Sequence, residues 1–112
     1  MNNNVLFLYD LMEENLDSVN EIIALSEESF LNNEDCLNYG YGLVSKIREL
    51  FLKINNEILF VNKTLSNISK EMHVLDEKVI NEYKYINGYM VYDFLKIEYP
   101  LILEELNKIL KI

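Results

Sequence analysis

A chain of 112 residues, half of them apolar, has the length of one domain and can bury a core only if most of it takes part. No apolar run, Val5 to Leu8 and Leu101 to Leu103 included, approaches the roughly 20 residues that cross a bilayer, which excludes an integral membrane protein. A net charge of -9 disfavours direct binding to nucleic acid or an anionic membrane.

Asp10 interrupts the first apolar run and no basic residue precedes it, so no secretion signal is expected. Cys36 is the single cysteine, which excludes an internal disulfide and points to the cytoplasm. Asparagine, lysine, isoleucine and tyrosine, whose codons are A/T-rich, are frequent. The expected source is a low-GC bacterium, its phage or a plasmid.

The charges are segregated. Asp10, Glu13, Glu14, Asp17, Glu21, Glu27, Glu28, Glu34 and Asp35 precede the first base, Lys46, and the other ten acids are balanced by the ten bases. The whole net charge therefore belongs to the first third of the chain, and a protein with a basic surface is the electrostatically favoured partner.

Gly40, Gly42, Gly88 and Pro100 are the only strong punctuators, so long elements are expected. Val5, Leu8, Met12, Leu16, Val19, Ile23 and Phe30 recur at steps of three and four, with Ser26 filling one turn, which predicts an amphipathic helix over about 4–31. Asp10, Glu14, Asp17, Glu21 and Glu28 form a second stripe with the same steps on the opposite side.

From Val44 the pattern becomes a heptad seam of Ile47, Phe51, Ile54, Ile58, Val61, Leu65, Ile68, Met72, Leu75 and Val79. It predicts one helix over about 35–87, on the order of 75 Å long. The alternative is a break near Asn62 to Ser69, where Asn62, Thr64, Ser66, Asn67 and Ser69 weaken helix propensity, giving an intramolecular four-helix bundle. The undisturbed phase through Val61, Leu65 and Ile68 argues for continuity. Gly88 is the expected C-cap, followed by helices over about 89–99 and 100–112, with Pro100 in the first turn of the last and Leu103, Leu106 and Leu110 inward.

The expected fold is thus all-α, a single helical domain over 1–112: a hairpin with a long second helix plus short C-terminal helices, forming a bundle. The first helix, at roughly 42 Å, is too short to cover the seam. β-Branched residues at d positions disfavour a parallel two-stranded coil. Both features predict a homodimer of hairpins.

No reaction is legible. His73 is the only histidine and lacks a second zinc ligand, and Lys70 stands where the Glu of a di-iron motif belongs. Cys36 lies near an expected helix start, a place where reactive cysteines are made, yet no base stands beside it, so a half-buried structural thiol is the better reading. Adjacent acids at Glu13/Glu14, Glu27/Glu28 and Glu104/Glu105 point apart on a helix and read as solvated faces. Gly40 and Gly42 lack the lysine and preceding strand of a phosphate loop, and close helix packing or a frayed helix start explains them better. Tyr83, Tyr85, Tyr89, Tyr92 and Tyr99 read as an interface or as a core with hydroxyls at its edge, ahead of nucleobase stacking.

In length and hairpin pattern the chain resembles the small helical proteins exported by type VII secretion. Their Trp-x-Gly turn is missing, and Tyr39-Gly40-Tyr41-Gly42 stands in the corresponding region. The function expected from the residues is non-catalytic: an adaptor or inhibitor, such as a phage or mobile-element inhibitor, that occupies a basic groove on its target through Asp10, Glu14, Asp17, Glu21 and Glu28. A helical partner or substrate of a larger, type VII-like assembly is the alternative, and an enzyme is the least supported. No metal or cofactor is expected.

Overall fold

A computed structural model of the chain describes residues 3–54, 62–70 and 84–110, and every regular element among them is helical. In chain order these are α1 (Asn3–Glu14), α2 (Leu16–Ala24), α3 (Glu27–Leu31), α4 (Glu34–Leu52), a helical stretch at 63–70, α5 (Lys84–Asp93), a π-helical turn (Phe94–Glu98) and α6 (Tyr99–Leu110).

The helix expected over 4–31 is three helices. Val5, Leu8, Met12, Val19 and Phe30 are buried as the stripe requires, while Ile22 is the buried residue near Ile23, which is half-covered. The main break falls at Leu25 and Ser26, both extended (ψ 157° in each). Ser26, expected to fill a turn, instead caps α3: its Oγ accepts the Ser29 N–H at 3.1 Å. Asn33 caps α4 the same way, accepting the Cys36 N–H at 3.1 Å. Each such cap contributes about 1 kcal/mol, and the acids that follow them, Glu27, Glu28, Glu34 and Asp35, lie in first turns where the helix dipole favours negative charge.

The helix expected over 35–87 ends at Leu52. The Lys53 N–H turns back to Leu50 and Phe51 and the Ile54 N–H to Phe51 at 3.1 Å, a tightened last turn that satisfies carbonyls without glycine or proline. A helix of about 75 Å that included the described residues of this segment would exceed the 40 Å longest extent of the described residues. The next described helix starts after Asn62, whose Oδ1 accepts the Leu65 N–H at 3.0 Å. Asn62 therefore caps a helix start, and the rest of the polar cluster through Ser69 lies within the helical stretch that follows. Asn62 also donates to Glu105 on α6 at 2.9 Å, and this bond holds the Glu105 carboxyl below its ordinary pKa.

Gly88 ends nothing. α5 runs through it, and a Cβ there would sit 2.5 Å from Leu31 Cδ2 and 3.1 Å from Leu37 Cδ1. The helices expected over 89–99 and 100–112 join without a turn, through a π-helical segment in which the Tyr99 N–H reaches the Phe94 carbonyl. Pro100 follows immediately in the first turn of α6, where its missing N–H is tolerated, and the wider turn before it relieves the ring's clash with the preceding carbonyls.

The core brings these elements together. α1 packs on α4 and α6, and α5 on α3 and α4. Of the seam, Val44, Ile47, Phe51, Ile54, Leu65 and Ile68 are buried in one cluster with Val5, Leu8, Ile102, Leu103 and Leu106. Ile58, Val61, Met72, Leu75 and Val79 lie outside the described residues, as does His73. The uncovered seam that motivated a homodimer is, in its described part, covered by the chain itself.

Gly40 and Gly42 separate cleanly. A Cβ at Gly40 would meet Val91 Cγ1 at 3.0 Å and Phe30 Cζ at 3.2 Å, so this glycine permits the close approach of α4 and α5, whereas Gly42 has nothing within 4 Å. Gly42→Ala is therefore expected to stabilise the protein by about 0.5–1 kcal/mol, from helix propensity alone. Gly40→Leu is expected to destabilise it by about 1–3 kcal/mol through overpacking. Urea denaturation of both variants checks the pair, and equal effects would contradict the packing.

Candidate protein-binding face

Asp10 and Glu14 lie on α1, Asp17 and Glu21 on α2 and Glu28 on α3, and all five are exposed. Although α1 and α2 are distinct, the Asn15 N–H bonds Leu11 at 3.2 Å and the Val19 N–H bonds Asn15 at 3.0 Å. The helical register is therefore carried across the junction, and Asp10, Glu14, Asp17 and Glu21 keep their common line. Glu28 leaves it, because the extended Leu25–Ser26 link redirects α3. It joins Glu34 and Asp35 instead, around an open polar hollow of about 650 Å³ that also includes Asn32 and Asn33. The single stripe is thus two acidic surfaces, one along α1–α2 and one where α3 meets α4.

Three tyrosine hydroxyls fix the junctions that shape these surfaces. The Tyr39 hydroxyl donates to Asn15 Oδ1 at 2.5 Å, and the Asn15 amide donates onward to the Leu11 carbonyl at 2.8 Å. Tyr99, buried, donates to the Met12 carbonyl one turn before Leu16, and burial, with Tyr39 and Glu13 near it, raises its phenol pKa. Tyr92 donates to the Leu25 carbonyl at 2.8 Å, at the break between α2 and α3. Tyr92 and Tyr99 are thus core residues with hydroxyls at internal carbonyls, the plainer of the two readings of the tyrosine cluster. Tyr89 stays exposed.

Between α2 and the start of α4 lies a mainly apolar groove of about 430 Å³, formed by Ile22, Leu25, Cys36 and Tyr39 and flanked by Glu21 and Asp35. Cys36 is half-buried. Sequence reasoning did not find this groove, since it exists only because the break at Leu25 turns a leucine outward. Its signal was Ser26-Glu27-Glu28-Ser29, a serine followed by acids, the pattern of a helix start.

Among the described residues no group of three His, Cys, Asp or Glu side chains is arranged to hold a metal ion, and no helix is long and apolar enough to cross a membrane. Among the described residues Lys53 pairs with Glu49 at 3.8 Å and Lys108 with Glu104 at 3.8 Å and Glu105 at 3.3 Å, acids that do not belong to the N-terminal stripe. Comparison with protein-family models, curated proteins and solved structures finds no match.

Proposed function

We propose that the protein is a non-catalytic adaptor or inhibitor that engages a basic surface of another protein through its acidic N-terminal helices. The observation that carries this reading is the nine acids that precede the first base, with Asp10, Glu14, Asp17 and Glu21 exposed on one continuous helical line. Successive turns of such a line repeat about every 5 Å, a spacing that suits a row of lysines and arginines. A groove that binds nucleic acid is one such surface, and an inhibitor of this kind would compete with the nucleic acid for it. Asp17 and Glu28 also lie in helical first turns, where they stabilise their own helices. Asp10, Glu14 and Glu21 have no such local role.

The alternative role, as a helical partner completing its seam with another chain, loses its premise in the described residues, where the seam is buried. The test of the proposal begins with pull-down and mass spectrometry from the native host. The variant carrying Asp10→Asn, Glu14→Gln, Asp17→Asn and Glu21→Gln is expected to fold normally, since exposed charges contribute little to stability. Its association rate with the captured partner is expected to fall about tenfold at low salt, and its salt dependence to flatten, because long-range steering acts on the on-rate. An unchanged on-rate and salt slope would refute the acidic face and move the interface to the C-terminal half.

A further inference from the structure

We infer that the groove between α2 and α4 receives an apolar side chain from a basic segment of the partner protein, so that one site reads both charge and shape. This inference rests on the acidic-face reading and makes it specific. Leu25 is 37% exposed, held outward by an extended peptide whose carbonyl is pinned by Tyr92. Opposite it, the Tyr39 ring is fixed by its hydroxyl bond to Asn15. The walls are therefore set before anything binds, which lowers the ordering cost of association. A volume of about 430 Å³ accommodates large apolar side chains.

Charge selects the occupant. Glu21 belongs to the α1–α2 acidic surface and Asp35 to the one at α3–α4, and the groove lies between them. A segment that buries a leucine here with lysine or arginine on either side meets a carboxylate at both flanks. Nucleic acid and anionic lipid are repelled by the same carboxylates. So is the corresponding face of a second copy, because all of the net charge of -9 lies in this part of the chain. A basic amphipathic helix laid into a groove is a known mode of recognition with these requirements.

Cys36 reports on occupancy, being the only thiol and part of the groove wall. Two fluorescein-labelled peptides serve as probes, one of lysine and leucine in helical alternation and one with serine in place of every leucine. Both are expected to bind by anisotropy at low salt, the leucine peptide more tightly by about tenfold or more. Only the leucine peptide is expected to slow alkylation of Cys36 by iodoacetamide. Leu25→Ser is expected to remove most of the leucine peptide's advantage and to leave the serine peptide unchanged. Equal binding of both peptides with no protection of Cys36 overturns the groove and leaves the acidic face standing. Binding of neither peptide overturns both readings. Protection that grows with the protein's own concentration assigns the groove to a second copy and also overturns the proposal.

Discussion

Replacing Ile47 by aspartate is expected to abolish the folded state. Ile47 is fully buried in the middle of α4, within the cluster to which α1 and α6 contribute Val5, Leu8, Ile102 and Leu106. A carboxyl group placed there has either to remain ionised without a partner or to take up a proton, and both cost several kcal/mol on top of the lost packing. A domain of this size is stable by only about 5–15 kcal/mol, so the loss consumes most or all of it. Far-ultraviolet circular dichroism of the variant should show collapse of the helical signal, with Ile54→Asp next in severity because Ile54 is also buried but sits just beyond the end of α4. Phe7→Asp supplies the contrast: Phe7 is 55% exposed, and its replacement should change stability by only about 0.5 kcal/mol. If Ile47→Asp unfolds in urea at the wild-type midpoint, the seam is not the core.

The same residue shows what periodicity reveals and where it stops. Steps of three and four between apolar residues report which side of a helix is buried, and for Val44, Ile47, Phe51 and Ile54, for Leu65 and Ile68, and for Leu103 and Leu106 that side is the core. The steps do not report whether the backbone continues. Numbering passes from Ile54 to Leu65 in phase, yet α4 ends at Leu52 by folding its last carbonyls onto Lys53 and Ile54, a closure that any residue type can make. The break at Leu25–Ser26 was hidden differently. Ser26 followed by Glu27 and Glu28 carries the pattern of a helix start, but the apolar steps pass through it unbroken, and the extended Leu25, whose carbonyl accepts from Tyr92, marks the break in the fold. Pro100 shows the reverse case, a strong local signal for a boundary that a π-helical turn absorbs without one.

The acidic face was legible as charge and only partly as shape. Counting placed every unit of net charge before Lys46, and the exposure of Asp10, Glu14, Asp17 and Glu21 follows from an apolar stripe on the opposite side. That Glu28 departs from this line depends on the turn at Leu25, and the groove depends on it too. That turn is tied to Tyr92, 67 residues away, by a hydrogen bond to the Leu25 carbonyl for which sequence spacing carries no signal.

Tyr99 is therefore the residue whose loss should be felt furthest. It is among the largest fully buried side chains, and its hydroxyl donates to the Met12 carbonyl at the α1–α2 junction. Tyr99→Ala should cost about 3–5 kcal/mol, the range for deleting a buried aromatic ring. Tyr99→Phe keeps the ring and withdraws only the donor, so it should cost about 1–3 kcal/mol. The pH dependence separates the hydroxyl from the ring. The phenol's pKa is raised by burial above its ordinary value near 10, so the folded state holds the proton more tightly than the unfolded chain does. Its stabilising contribution is complete below pH 10 and declines as pH rises above that value, because the unfolded chain then releases a proton that the folded one keeps. Wild type should lose stability more steeply than Tyr99→Phe above that pH, and the comparison cancels the tyrosines common to both. Parallel urea midpoints across this range would mean that the hydroxyl is not held in the core. A steeper wild-type profile would establish that the hydroxyl bonded to the Met12 carbonyl, 87 residues away at the α1–α2 junction, is held protonated in the folded core.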